Sequence, residues 1–194
     1  MISPTILAVT LLLTPNAAPQ SRGALDAPAE VARLSTSACY AIANGTLQMP
    51  DGPASEPMLN RLGLAFGVPS DATKQGPVLT TLISRATLGS ETLSDGQILF
   101  ADGGARGCRI ILLGEKRTGQ TDLVADALAE GGRRAVPSMT VTRGAIERRA
   151  FLRRDTATAP YLLNLMTVLD QPGRLRLFTT VARIPPNVTL PAGY

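Results

Sequence analysis

The 194-residue sequence contains no histidine. That excludes Ser-His-Asp and Cys-His nucleophilic catalysis and His-ligated zinc, copper and iron sites. It also removes the commonest general base near neutral pH. An enzymatic mechanism would have to rest on carboxylates, Tyr, Lys, Arg, Ser or Cys. Tryptophan is absent too, and only four Phe and three Tyr are present. A sugar-binding or base-stacking surface wants exposed rings, so neither is expected. The core has to be assembled from Leu, Ile, Val, Ala and Met. Lysine is scarce, with Lys74 and Lys116 against 17 Arg. No stretch approaches the roughly 20 apolar residues of a membrane-spanning helix, so a transmembrane protein is not expected.

What is present fits one domain. Apolar residues make up 44% of the chain, enough to fill a single core. The net charge is +4, unevenly spread: residues 1–100 carry −2 and residues 101–194 carry +6. The basic half could favour an acidic partner. The plainer reading is that these charges solvate sheet faces and loops.

Residues 1–18 read MISPTILAVTLLLTPNAA and carry no ionised side chain. Ile6 to Leu13 is an apolar run of signal-peptide length, and Pro15 to Ala18 resembles a cleavage region. Residues 1–18 are therefore expected to be a signal peptide. Residues 19–24 would be a flexible new N-terminus, and residues 25–194 a single α+β domain. Two cysteines in an exported chain suggest one disulfide, Cys39–Cys108. The alternative is two buried, inert thiols. A redox site is less favoured, since no C-x-x-C occurs.

Asp26 suits an N-cap, with Pro28 and Glu30 in the first turn. Val31, Leu34, Ala38, Ala41 and Ile42 recur at helical spacing. These predict a helix over 27–44, with Cys39 flanking its apolar face and Gly45 as the stop. A short helix is expected from Ser55 to Gly63. Val78–Leu88 leans towards strand, Gln97–Ala101 reads as strand, and Asp102-Gly103-Gly104 as a hairpin turn before Arg106–Leu113. Thr121 is the expected cap of a helix over Asp122–Glu130, with Leu123, Val124 and Leu128 inward. Four strands are expected near 138–143, 147–154, 161–169 and 174–183, the last two joined by a turn at Asp170–Gly173. The connections are too short for parallel crossovers. The expected fold class is thus α+β, a mostly antiparallel sheet with an N-terminal helix and one or two further short helices packed on it.

One helix bears Cys39, and a Leu62-Gly63-Leu64 turn follows. Cys108 then opens the apolar strand Cys108-Arg109-Ile110-Ile111, ahead of a short Gly-terminated helix. This order resembles a group of small exported two-cysteine proteins of Gram-negative bacteria whose function is not known. The resemblance implies an exported location and no activity.

Two clusters are candidate sites. Gly114–Thr121 (GEKRTGQT) lies between an apolar strand and a helix, the setting of a phosphate-binding loop. Asp170 would sit where a magnesium-holding aspartate belongs. However, Gln120 stands in place of the lysine that G-x-x-x-x-G-K-[ST] requires, and it has no charge for the phosphates. A plain strand-to-helix turn is favoured over nucleotide binding. Anion binding by Lys116, Arg117, Thr118 and Thr121 is the milder alternative. The second cluster is Arg148, Arg149, Arg153 and Arg154. Alternation places Arg149, Phe151 and Arg153 on one face and Arg148, Ala150, Leu152 and Arg154 on the other. Arginine on both faces argues for a charged edge strand. A patch for an acidic partner or anionic lipid is the alternative, and nucleic acid is not expected without interleaved aromatics.

No metal, cofactor or catalytic residue is assigned. The leading expectation is a periplasmic or secreted, non-enzymatic binding or interaction domain, with an envelope protein or an acidic surface as partner. The alternatives are a His-independent envelope hydrolase or lyase using carboxylates, and an anion or nucleotide binder through Gly114–Thr121.

Overall fold

The computed structural model describes residues 26–68, 87–102, 107–114, 118–154, 161–169 and 175–194. The expected signal peptide, the expected flexible N-terminus, Lys116, Arg117, residues 78–86 and the turns expected at 103–104 and 170–173 lie outside the described residues.

Asp26 caps α1 (Ala27–Thr36), its carboxylate accepting from the Ala29 amide at 2.9 Å. The expected single helix is broken at Ser37, and α2 (Ala38–Ala43) follows. The cause is local. The Ser37 hydroxyl donates to the Arg33 carbonyl at 2.6 Å, alongside its own amide, and its backbone is distorted to φ −107°, ψ −79°. Cys39 in α2 is fully buried. A 3-10 turn (Gly52–Ser55) leads into α3 (Glu56–Leu62), which ends at the left-handed Gly63. Glu30, only 2% exposed, accepts from Arg33, whose guanidinium also reaches the Leu62 carbonyl at 2.8 Å. The hydrogen bond it donates to Glu30 raises the Arg33 guanidinium above its ordinary value, against burial, which lowers it. This pair fastens α1 to the end of α3.

The strands are β1 (Ala65–Phe66), β2 (Thr87–Leu93), β3 (Gly96–Asp102), β4 (Cys108–Leu113), β5 (Arg134–Ala135), β6 (Val141–Arg143), β7 (Ile146–Arg154), β8 (Tyr161–Leu169) and β9 (Leu175–Arg183). They form one sheet in the order β1-β2-β3-β4-β9-β8-β7-β5, with β6 also on β7. Every described pairing is antiparallel. The α+β class and the mostly antiparallel sheet are as the sequence predicts. The helices cover one face. Val31, Leu34 and Leu59, with Val124 and Leu128 from α4 (Gln120–Glu130), pack on Ile98, Phe100, Ile110, Leu112, Phe151 and Met166. The opposite face carries Leu99, Ile111 and Phe178 at one end. At the other end Ala150, Leu152, Leu163 and Leu165 lie beneath the C-terminal tail through Ile184, Leu190 and Tyr194.

Two connections pin helices to the sheet. Cys39 and Cys108 are both fully buried and disulfide-bonded, with Cα atoms 5.1 Å apart, joining α2 to the start of β4. The Ser35 and Thr179 hydroxyls, also fully buried, share a hydrogen bond between α1 and β9.

Four further expectations are corrected. Thr121 does not cap α4. Gly119 occupies the cap position at φ 81°, a left-handed turn open to glycine, and its carbonyl accepts from the Leu123 amide. Thr121 therefore lies inside the helix. Leu123 points outward, 54% exposed, because α4 buries Val124, Ala125 and Leu128 instead. β7 is not an edge strand. The brief β5 and β6 pair along its outer side, while Pro137–Met139 forms a 3-10 turn between them and takes in the first residues of the strand expected near 138–143.

The central seam contains a bulge. Leu112 pairs with Leu177 and Leu113 with Leu175, so Arg176 is the extra residue. Its guanidinium turns back to the Leu113 and Asp95 carbonyls and is 3% exposed. Asp95 in turn accepts from the Ala27 amide at the start of α1. Gly96 leaves room for this clasp. A Cβ there would lie 2.1 Å from an Arg176 terminal nitrogen and 2.9 Å from the Leu113 carbonyl oxygen. Gly96→Ala is expected to destabilise the fold by about 1–3 kcal/mol, read as a lowered urea midpoint. An unchanged midpoint would show that the clasp yields without cost.

Candidate functional site

The β4-to-α4 connection opens onto a cleft of about 480 Å³, lined by Thr118, Gly119, Thr121, Asp122, Glu147, Arg149 and Val168. Its charged centre is Arg149. One terminal nitrogen donates to Asp122 at 2.8 Å, and Nε donates to Glu147 at 2.6 Å. Burial alone would lower the Arg149 guanidinium, but the hydrogen bonds to Glu147 and Asp122 outweigh it and raise the group above its ordinary value. Both carboxylates sit on one guanidinium, so the trio is a salt-bridge network across α4 and β7. Asp122 is open to solvent on its other side, with a side chain 66% exposed.

Of the residues proposed for anion binding, Thr118 and Thr121 line this cleft together, while Lys116 and Arg117 lie outside the described residues. Among the described lining residues two carboxylates face one guanidinium. The sequence misses Arg149's role here, since its partners stand on another element and two residues away. The Glu147-x-Arg149 spacing on a strand, which places both on one face, is the legible part of the signal.

The arginine cluster divides as alternation predicts. Arg149 and Arg153 face the helices, whereas Arg148 and Arg154 face away. The four do not form one patch. The Arg153 guanidinium lies 4.3 Å from the centre of the Tyr40 ring, and Arg133 lies 5.4 Å from the same ring. Arg133 is 3% exposed. It donates to the side-chain oxygen of the fully buried Asn164 at 2.9 Å and to the Gly131 carbonyl at 3.2 Å. Sequence reasoning misses this buried polar group. Its signal is Asn164 at an inward position of the apolar run Tyr161–Leu169, where an amide requires a partner.

The Arg133–Asn164 pair serves structure. Asn164→Leu removes the acceptor of a buried guanidinium and is expected to cost roughly 1.5–3 kcal/mol. Leu123→Ser, on the exposed side of α4, should stay within about 0.5 kcal/mol of the parent. Denaturant titration of both variants checks the contrast. Equal effects would remove the role assigned to Asn164.

Among the described residues no group of three His, Cys, Asp or Glu side chains could hold a metal ion. No described helix is long and apolar enough to cross a membrane. No family model matches the chain, and neither the curated proteins nor the solved structures contain one similar to it.

Proposed function

We propose that this chain is an exported domain, periplasmic or secreted, that works by binding rather than by catalysis. The observation that carries the reading is the Cys39–Cys108 bridge, closed and fully buried where the helices meet the sheet. Such a bridge persists in an oxidising compartment, whereas cytosolic thiols are kept reduced. The apolar run Ile6–Leu13 and the resemblance to small exported two-cysteine proteins agree with it.

The binding part of the proposal draws on the polar groups. A catalytic site needs polar side chains converging on a place where a reacting atom can sit. In the cleft at the start of α4, Asp122 and Glu147 converge on Arg149 instead. Arg133, the most deeply buried cation of the helix-covered side beyond the β4–β9 seam, is engaged with Asn164 and stacks beside Tyr40. These contacts support structure and leave the exposed surface as the working part.

The test is the intact mass of the protein recovered from the envelope fraction of its own host, with and without reductant and thiol alkylation. The expected result is a mass matching cleavage after Ala17 or Ala18, with no alkylation until the protein is unfolded and reduced. A full-length cytosolic protein with two alkylatable cysteines would overturn the proposal. Reduction should also lower stability by about 2–4 kcal/mol, since the bridge closes a long loop.

A further inference from the structure

The two faces of the sheet differ in charge. Register partners share a face, so each strand residue can be assigned to one side. The acidic strand residues Glu91, Asp102 and Glu147 pair with Ile98, Cys108 and Val168, all of which pack under the helices. The helix-free face carries Arg109, Arg134, Arg143, Arg148 and Arg154, and no acidic strand residue among those described. Residues 131–146 and the C-terminal tail that covers one end of this face contain no Asp or Glu at all.

The cations gather at one corner. Arg143 pairs with Ile146, and Val141 with Arg148, so these four side chains share the helix-free face of the β6–β7 hairpin. All four are exposed. Val141 and Ile146 are 43% and 46% exposed, an unusual state for β-branched residues on paired strands. Further along the same face, Arg134 lies over Tyr194 and Arg154 over Tyr161. Guanidinium groups beside tyrosine rings, with branched aliphatic side chains between charged neighbours, match an interface that is anionic at its surface and apolar just beneath.

We propose that this face docks on an anionic phospholipid bilayer, with Arg143 and Arg148 at the lipid phosphates and Val141 and Ile146 at the acyl boundary. An acidic protein would satisfy the guanidinium groups, but it would need a matching apolar patch of its own for the two aliphatic side chains between them. A bilayer offers both at the required depths. This inference deepens the binding reading and rests on it. Vesicle capture reads this face alone, while the mass measurement reads export and the bridge, so the two can fail separately.

The experiment is co-sedimentation of the oxidised protein with phosphatidylcholine vesicles, with and without phosphatidylglycerol, at low and physiological salt. Capture is expected only with phosphatidylglycerol and should weaken with salt. Arg143→Gln with Arg148→Gln should lower the partition coefficient roughly 30-fold, taking each arginine near the surface at its usual worth. Val141→Ser with Ile146→Ser should lower it at physiological salt, where the apolar contribution remains. Arg61→Gln, on α3, should match the parent. Unchanged melting temperatures would show that the exposed substitutions leave the fold intact. Equal capture by neutral vesicles, or no effect of the double arginine variant, would overturn the proposal. So would binding to soluble polyglutamate without vesicle capture, which would identify an acidic protein partner instead.

Discussion

The antiparallel seam between β4 and β9 is the join on which the rest of the molecule depends. One side of the sheet is built from β1 to β4, and the other from β5 to β9. The two meet only along this pairing within the sheet. The main side-chain ties of the fold converge beside it. Cys39 bonds Cys108 at one end of β4, Ser35 bonds Thr179 midway along β9, and Arg176 holds the Leu113 carbonyl at the other end of β4. Each tie is buried, so each is protected from exchange with water.

The Arg176 clasp shows how a sheet irregularity is put to use. A regular register would point residue 176 towards one face. The bulge frees it to turn along the strand end, where it gathers the β2–β3 turn, the end of β4 and, through Asp95, the start of α1. Three segments distant in sequence are thus held by one side chain and one carboxylate. The arrangement requires a residue without Cβ at Gly96, and that requirement is what makes the glycine essential to the turn.

Much of this was legible where local chemistry and tertiary packing agree. Asp26, Pro28 and Glu30 announce the start of α1, and Gly63 the end of α3. The apolar run of β8 reads as a strand because it is mostly buried, and β9 reads as one through its β-branched and aromatic residues. β2 was not legible. Its sequence Thr-Leu-Gly-Ser-Glu-Thr-Leu has weak strand propensity, and Gly89 is present because a Cβ there would come 2.8 Å from the Leu59 side chain above it. The start of α4 was misread because capping was sought in a hydroxyl, whereas a left-handed glycine does the turning. The status of β7 depended on β5 and β6, which are too short to show any pattern. At the candidate site, the Glu147–Arg149 spacing was visible, but Asp122 joins them only through the fold.

The position of the bridge also bears on the order in which the chain can assemble. Cys39 and Cys108 enclose most of α2, α3 and β1 to β3, but neither α4 nor β9, whose Thr179 lies 144 residues from its partner Ser35. A chain that crosses into an oxidising compartment from its N-terminus presents both thiols well before the last strands. Oxidation at that stage would hold α2 beside a β4 whose far edge is still bare. The costliest search, the long-range closure of the sheet, then becomes the docking of β9, with the strands it carries, onto a prepared template.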